Sequence, residues 1–161
     1  LPISLIENAL IKARTVYQLT GLPSLSDDTG LEVDALNGAP GVYTARYAGE
    51  NPTFEDNVNK MLLELKDVSD FKRIARFRTV LAFVNSDSEL CEEGIIEGEI
   101  TKSVFGKDGF GYDPIFKPKN YSITFAEMSA EEKNRISHRA RALVKMKKTI
   151  KKYFKNGDSI E

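Results

Sequence analysis

Two long strand-like runs in the middle of the sequence restrict the fold more than any other feature. Residues 73–84 alternate in the manner of a half-buried strand, and the later part of the run is apolar on both faces. The polar residues 85–89 predict a turn, and residues 90–103 alternate again as a partner strand. Two long paired strands predict an extended sheet as the core of the fold.

Three further segments have the apolar spacing of amphipathic helices. The first follows Ser4 and is expected to end near Gly21. Thr53 is a cap for the second, and a capping box at residues 129–132 begins the third, which is expected to continue unbroken to residue 146. Because the chain has 161 residues and contains no repeats, low-complexity tracts or linkers, we expect a single α/β domain over residues 1–161.

The charge balance and the cysteine content limit the partners and the compartment. Lys and Arg number 23, Asp and Glu number 24, and the formal net charge of -1 at pH 7 argues against a nucleic-acid or anionic-membrane partner. The single cysteine, Cys91, allows no internal disulfide and fits a reducing compartment. No apolar run reaches membrane-spanning length, and no basic-then-apolar leader opens the sequence. We therefore expect a cytoplasmic protein.

One acidic stretch is the most chemically distinctive part of the chain. It joins two adjacent carboxylates, Asp27 and Asp28, to Thr29 and a glycine, and we expect a turn here between short strands at residues 23–26 and 31–36. Adjacent anions repel, so at least one of them usually faces a cation, a metal ion or hydrogen-bond donors. A polar turn with no further role is the competing interpretation, because Asp, Thr and Gly are common turn residues.

Two charged residues on the first predicted helix precede the acidic stretch. Glu7 is placed to complete a capping box with Ser4, which would give its carboxylate a structural role. Because this helix leads directly into the acidic stretch, a contact of Glu7 with a metal ion or water is the alternative. Lys12 lies five residues further on, outside the helix face of Glu7, and its position alone indicates a solvated charge.

A glycine-rich stretch with aromatic residues occupies positions 105–114. Its three glycines allow the backbone to approach a ligand closely, while Phe110 or Tyr112 is able to stack on a flat ring and Asp113 to accept hydrogen bonds. The stretch lacks the Gly-Lys-Ser/Thr ending of a phosphate-binding loop, so a flexible hairpin loop is the competing interpretation.

The third predicted helix carries the only histidine of the chain, His138, next to Arg139. A lone histidine on a helix is more commonly packed or solvated than catalytic. The lysines between residues 145 and 155 complement the dipole at the C-terminal end of the helix. We interpret them as a solvated face rather than as a nucleic-acid patch.

Three stretches, taken in order, resemble one known family. They are SDDTGLEVDALNGAPGVYTARYAG from residue 26, FGKDGFGYDPIF from residue 105 and TFAEMSAEEKNRISHRARAL from residue 124. Together they are similar to the inosine triphosphate pyrophosphatase family, whose members hydrolyse noncanonical purine nucleoside triphosphates. The resemblance implies an elongated mixed α/β sheet flanked by helices, two lobes with a central cleft, and a homodimer. It also implies hydrolysis of ITP, dITP and XTP to the monophosphate and pyrophosphate, with Mg²⁺ as cofactor.

The resemblance also implies roles for particular residues. Asp28 resembles the proton acceptor and metal ligand, Thr29 resembles a substrate-binding residue, and Lys12 resembles a basic position near the phosphates. Asp27 and Glu7 are further candidate metal ligands. The base-binding loop and the remaining nucleotide contacts are matched by Phe110, Gly111, Tyr112, Asp113, Lys133, His138 and Arg139.

The chemistry of a purine nucleoside triphosphate agrees with these assignments. A polyphosphate that chelates Mg²⁺ needs a carboxylate for the ion and an acceptor that orients water for attack on the α-phosphorus. Hypoxanthine and xanthine present a carbonyl acceptor at position 6, which Lys133, His138 or Arg139 is able to satisfy, whereas adenine presents a donor there. Guanine shares this carbonyl, so its rejection depends on the 2-amino group.

One part of the family pattern is absent from the sequence. Family members begin with a strand and a Thr/Ser-x-Asn-x-x-Lys loop that binds the triphosphate, and they carry a metal-binding glutamate ahead of the first helix matched here. We expect this N-terminal part to be missing and the chain to be a portion of a longer protein, because a missing sheet edge would leave apolar surface uncovered. A truncated, inactive form is the alternative.

Two other functions stay open alongside the leading hypothesis of a Mg²⁺-dependent purine nucleoside triphosphate pyrophosphatase. The absent N-terminal loop agrees with a nucleotide-binding module without catalysis, which retained ITP binding without turnover would favour. A related pyrophosphatase that acts on modified pyrimidine nucleotides is the second alternative, and a substrate panel would distinguish it.

Overall fold

The fold is built on one antiparallel sheet. The computed structural model describes residues 4–157. Its strands are β1 Ser24–Val33, β2 Pro40–Gly41, β3 Ile74–Val84, β4 Glu89–Ile100 and β5 Phe116–Pro118, in the spatial order β2-β1-β3-β4-β5. The long strands β3 and β4 pair along the whole of β3, which confirms the predicted pair. β4 ends at Ile100 rather than at residue 103, because the next backbone N–H, of Thr101, donates to Ile115 instead.

The acidic pair lies inside a strand, so the predicted turn between short strands at residues 23–26 and 31–36 is wrong. All ten residues of β1 pair with β3, and Asp27 and Asp28 stand near the middle of this pairing. The pairing provides backbone hydrogen bonds along the strand, and this outweighs the turn preference of Asp, Thr and Gly. The chain reverses only after β1, where Asn37 adopts the left-handed conformation with φ 54°.

Two helices cover opposite faces of the sheet at the end where β1 begins. They are α1, Leu5–Thr20, and α4, His138–Gly157, and they pack against alternate residues of β3. The first contact consists of Leu5, Ala9, Ala13, Val80, Ala82 and Val84, and the second consists of Leu81, Phe83, Ala142 and Met146. Alternate strand residues point to opposite faces, so the sheet separates the two helices. Within residues 4–157, no helix has both the length and the apolar character to span a bilayer.

A larger core lies at the other end of the strands, where α2, Phe54–Glu64, covers the sheet. The predicted cap of α2 is confirmed, since Thr53 and Asp56 form a complete capping box. The buried members of this core are Leu31, Val33, Val58, Met61, Leu65, Ala75, Phe77, Ile96, Ile100, Tyr112, Ile115, Phe116, Phe125 and Met128. The fully buried Thr79 of β3 stands between the two core regions, which agree with the expected two lobes.

The third predicted helix is in fact two helices, α3, Ala130–Ile136, and α4. Ser137 between them is extended, with φ -63° and ψ 157°, and its hydroxyl accepts a hydrogen bond from Ala140 N at 3.2 Å. Serine is a favoured cap because its side chain satisfies an otherwise unpaired N–H at the start of a helix. The predicted unbroken helix is therefore wrong, whereas the capping box at the start of α3 is confirmed. The break places His138 and Arg139 at the beginning of α4.

Gly94 of β4 lies where α4 approaches the sheet most closely. A Cβ at this position would stand 2.0 Å from the carbonyl oxygen of His138 and 2.4 Å from the backbone nitrogen of Ala142. Backbone atoms cannot move aside as the end of a flexible side chain can, so a larger residue must push α4 away from β4. The close approach therefore requires glycine.

We expect Gly94→Ala to destabilise the protein by about 2–3 kcal/mol and to lower its melting temperature by about 5–10 °C. Thermal unfolding followed by circular dichroism measures the change. Cys91→Ala on the same strand is the matched control, because Cys91 is exposed and its replacement is expected to alter stability by no more than about 0.5 kcal/mol. Equal melting temperatures for the two variants would contradict the close contact between α4 and β4.

Candidate active site

Asp28 faces α1, and two side chains of that helix donate to it. Lys12 Nζ lies 3.1 Å from Asp28 Oδ1, and Asn8 Nδ2 donates to Asp28 Oδ2 at 3.1 Å. Lys12 also donates to the backbone carbonyl of Asp27, so it is not the freely solvated charge that its helix position alone indicated. The side chain of Asp28 is 23% exposed. An oriented carboxylate is therefore open to a ligand on the α1 side of the sheet.

Asp27 faces the opposite side of the sheet. Its Oδ2 lies 3.3 Å from a guanidinium nitrogen of Arg139 at the start of α4. Because neighbouring residues of a strand point to opposite faces, Asp27 and Asp28 do not converge as two carboxylates in a turn would. The arrangement gives no support to a metal ion shared by both side chains.

The Asp28 carboxylate is suited to a metal ion that takes its further ligands from a substrate. Within residues 4–157, no three His, Cys, Asp or Glu side chains lie close enough to hold an ion together. Mg²⁺ commonly binds through one or two carboxylates and completes its coordination with water and substrate phosphates. Asp28 suits this pattern as a single carboxylate.

Glu7 lies in the first turn of α1 with an exposed side chain. Its backbone N–H donates to the hydroxyl of Ser4 at 3.1 Å, so Ser4 caps the helix as expected. The return bond, from the Ser4 backbone N–H to the Glu7 carboxylate, is not formed in the described part of the chain, so the capping box is half complete. A metal contact of Glu7 stays a prediction.

Thr29 lies at the boundary between the two core regions. Its hydroxyl shares a hydrogen bond of 2.7 Å with the hydroxyl of the buried Thr79. Strand alternation places Thr29 on the same face as Asp27, opposite to Asp28. A hydroxyl has one donor and two acceptor positions, so Thr29 retains hydrogen-bonding capacity for a ligand.

The glycine-rich stretch is folded around a buried carboxylate. Asp113 is 2% exposed, and its Oδ2 accepts hydrogen bonds from the backbone N–H of Phe110 at 3.0 Å and from Lys133 Nζ at 2.5 Å. Gly109 has φ 77°, and a Cβ there would lie 2.2 Å from Asp113 Oδ2. Only glycine therefore allows the loop to close over the carboxylate. Asp113 holds the loop together and pairs with Lys133.

Of the two aromatic residues considered for stacking, only Phe110 is exposed. Its side chain is 48% exposed, with Lys133 Nζ 4.4 Å and the Arg139 guanidinium 5.4 Å from the ring centroid. Tyr112 is buried and donates to a backbone carbonyl at 2.7 Å, and burial raises its pKa, which keeps the hydroxyl protonated. Gly111 between them has φ 60°. Stacking on a flat ring therefore falls to Phe110, while Tyr112 anchors the loop.

His138 is buried beneath these cations. It is 5% exposed, its ring stacks on Phe77 with centroids 4.7 Å apart, and its Nδ1 has no hydrogen-bond partner among the described residues. Burial and the positive charges of Arg139 and Lys133 lower the pKa of His138 to about 3. The imidazole is therefore neutral near pH 7 and presents one donor and one acceptor rather than a charge. A buried polar atom without a partner is unusual in a folded protein.

The residues predicted for the site form two groups, one on each face of β1. The α1 side holds Asp28 and Lys12, with Glu7 in the first turn of α1. The α4 side holds Asp27, Thr29, Lys133, His138, Arg139 and the loop residues Phe110, Gly111, Tyr112 and Asp113. A groove of about 330 Å³ beside Arg139 and Asp27 is lined further by Leu25, Ser26, Leu81 and Leu143.

Two residues of the site, Asn8 and Thr79, were not predicted from the sequence. Asn8 precedes Lys12 by four positions, and this spacing predicts that both lie on the same face of the helix. Thr79 carries no such signal, because its approach to Thr29 depends on the register between β1 and β3.

Proteins of similar sequence place this chain in a known family. The chain belongs to the Ham1 family, whose sequence model matches residues 3–149. It is 52% identical over 146 residues to the dITP/XTP pyrophosphatase of Thermoanaerobacter sp. (strain X514), an alignment that covers 91% of this chain and 74% of the relative. It is 48% identical over 148 residues to the dITP/XTP pyrophosphatase of Vibrio cholerae serotype O1, which covers 90% of this chain and 74% of that relative.

Solved structures of similar proteins agree with the fold. A HAM1 protein from Coxiella burnetii superposes with a TM-score of 0.87 at 43% identity, and the match covers 92% of this chain and 77% of the other. The Ham1 protein of Staphylococcus aureus superposes with a TM-score of 0.89 at 38% identity, covering 94% and 78%. These comparisons confirm the family that the three sequence stretches resemble. They also confirm the expected fold, an elongated α/β sheet flanked by helices.

We expect the free energy of unfolding to fall as the pH is lowered from 6.5 towards 5. The folded pKa of His138, about 3, lies below the ordinary value of 6.5, so the unfolded chain takes up this proton first. The stabilising contribution is complete above about pH 6.5 and decreases by up to about 1.4 kcal/mol per pH unit below it. Urea unfolding at about pH 7.5, 6 and 5 measures the dependence.

The control for this dependence is His138→Phe, which keeps an aromatic ring against Phe77 and removes the only imidazole. Its stability is expected to change less over the same pH range. A slope equal to that of the original protein would contradict the assignment to His138.

Proposed function

We propose that the protein hydrolyses noncanonical purine nucleoside triphosphates, namely ITP, dITP and XTP, to the monophosphate and pyrophosphate, and so removes them from the nucleotide pool. The observation that carries this proposal is the exposed ring of Phe110, bordered by Lys133 and Arg139. A flat apolar ring beside a few polar groups suits a purine base. The relatives named dITP/XTP pyrophosphatase support a hydrolase that acts on an acid anhydride.

Selectivity for the base depends on its carbonyl at position 6. In hypoxanthine and xanthine this oxygen accepts hydrogen bonds from Lys133 or Arg139, while the neutral His138 adds a further polar contact. Adenine presents an amino donor at the same position, so no hydrogen bond forms there with Lys133 or Arg139. The loss of a hydrogen bond to a charged group costs about 1.5–3 kcal/mol, which corresponds to a loss of roughly tenfold or more in affinity.

The cut between the α- and β-phosphates requires an acceptor for the proton of water. Asp28 takes this proton as the water oxygen bonds to the α-phosphorus and the bond to the bridging oxygen breaks. Pyrophosphate leaves with the electrons of that bond, and the nucleoside monophosphate remains. Lys12, next to Asp28, stabilises the negative charge of the phosphates.

Mg²⁺ is the proposed cofactor, with Asp28 as its ligand from this chain. When bound, the ion neutralises charge on the polyphosphate. Asp27 points to the other face and pairs with Arg139, and the exposed Glu7 lies in the first turn of α1, so both are weaker candidates for its coordination. The homodimer and the cytoplasmic location stay predictions.

We expect the full-length protein to release pyrophosphate from ITP and XTP in the presence of Mg²⁺, and little from dATP, because the donors of the pocket read the carbonyl at position 6. dGTP shares this carbonyl, so its turnover tests separately whether the 2-amino group is rejected. Measuring pyrophosphate and orthophosphate separately locates the cut. Binding of ITP without turnover would contradict the proposal in favour of a nucleotide-binding module. Turnover confined to modified pyrimidine nucleotides would favour the related pyrophosphatase.

We expect Asp28→Asn to lower kcat for ITP by about 10²–10⁴-fold while the melting temperature stays close to that of the original protein. The amide keeps the shape of the side chain but does not accept a proton from water. Asp87→Asn, in the exposed turn between β3 and β4, is the matched control and should retain full activity. Normal turnover by Asp28→Asn would overturn the assignment of the proton acceptor.

A further inference from the structure

Asn8 donates a hydrogen bond to Asp28, and neither the family resemblance nor the acidic stretch gives Asn8 a role. We infer that Asn8 is a positioning residue, which holds the Asp28 carboxylate in its reactive orientation through a neutral hydrogen bond. The inference rests on the proposed function, since the orientation matters for proton transfer from water to Asp28.

The contact divides the two oxygens of Asp28 between two donors from one helix. Asn8 and Lys12 are four residues apart and therefore neighbours on one face of α1. Asn8 Nδ2 donates to Oδ2 and Lys12 Nζ to Oδ1, each at 3.1 Å. Two attachment points define the plane of the carboxylate. An ionised carboxylate has roughly four acceptor positions, so about two stay open on Asp28 for water or a ligand.

The chemistry of the pair determines which end of the Asn8 amide faces Asp28. An ionised carboxylate accepts hydrogen bonds and has none to donate. The carbonyl oxygen of Asn8 would meet it as a second acceptor and be repelled, so the NH₂ group must point towards Asp28. A side chain of the same shape without this donor is therefore not equivalent.

The support beneath Asn8 is well packed. Its neighbour Ala9 is fully buried against β3, and the Ala9 carbonyl accepts a hydrogen bond from the hydroxyl of Ser26 on β1 at 2.5 Å. The backbone N–H of Asn8 donates to the Ser4 carbonyl at 3.0 Å. α1 is thus attached to β1 one residue away from Asn8 and two residues away from Asp28, which leaves the short amide side chain little freedom.

Lys12 alone is poorly suited to define this orientation. Its side chain is 50% exposed, its ammonium ends a flexible four-carbon stem, and it also contacts the Asp27 carbonyl. The ammonium group of Lys12 provides positive charge, whereas the amide of Asn8 orients the Asp28 carboxylate. Because the amide is neutral, it holds Asp28 without adding a second charge.

Steady-state kinetics of the full-length protein with ITP and Mg²⁺ test the inference. Asn8→Leu keeps the approximate shape without a donor, and Asn8→Asp replaces the donor with a second carboxylate. Both are expected to lower kcat by about 10–100-fold and to leave KM within roughly threefold. Asn59→Leu, at an exposed position of α2, is the matched control with unchanged kinetics. An Asn8→Leu variant with the original kcat would overturn the inference, because filling space would then be sufficient.

A double-mutant cycle on the free energy of unfolding tests the contact without reference to activity. Asn8→Leu, Asp28→Ala and the double variant are unfolded in urea, and the double variant is expected to lose less stability than the sum of the single variants. Additive losses would contradict the hydrogen bond. If the unmodified protein released no pyrophosphate from ITP, the proposed function and the catalytic part of this inference would fail together. The cycle would still decide whether Asn8 holds Asp28.

Discussion

The antiparallel pairing of β1 with β3 is the constraint on which the candidate site depends. It keeps Asp27 and Asp28 extended, so that their side chains leave the strand on opposite faces. Each carboxylate then meets its own cation, Arg139 on α4 or Lys12 on α1. Two neighbouring anions are tolerated in this way without a shared metal ion, since each lies beside an opposite charge. The helices on the two faces thereby become parts of the site as well as parts of the core.

The α4 side of the site depends on a second pairing, between the buried Asp113 and Lys133. Their side chains are 3% and 14% exposed, and an ammonium so far removed from water requires a counter-charge. The same Asp113 oxygen accepts the backbone N–H of Phe110, so one carboxylate orders both the loop and the cation beside its exposed ring. Burial, together with the positive charges nearby, lowers the pKa of His138 and keeps its imidazole neutral. A polar but uncharged contact therefore lies among charged ones, which suits an uncharged base.

The separation of the two groups by β1 corresponds to two chemical tasks in the proposed reaction. The α4 side offers a ring, donors and a neutral imidazole, which are the elements of base recognition. The α1 side offers a carboxylate and an ammonium, which are suited to water and phosphate. Thr29, bonded to Thr79 where the two core regions meet, belongs to the α4 side and follows Asp28 directly along β1. The two ends of a nucleotide match these two sides, because one end is a flat neutral base and the other is a polyanion.

The sequence by itself determined the long β3–β4 pair and the caps of α2 and α3, because periodicity and capping act within a few residues. Its short motifs also determined the family and the identity of nearly all candidate site residues. Only the tertiary structure decided that the acidic pair lies in a strand, that Ser137 separates α3 from α4, and that Phe110 is exposed while Tyr112 is buried. These outcomes depend on contacts between distant parts of the chain, such as that of Thr29 with Thr79, 50 residues away. Pairing with β3 supplies hydrogen bonds that a local turn preference cannot match, and burial decides which side chain meets solvent.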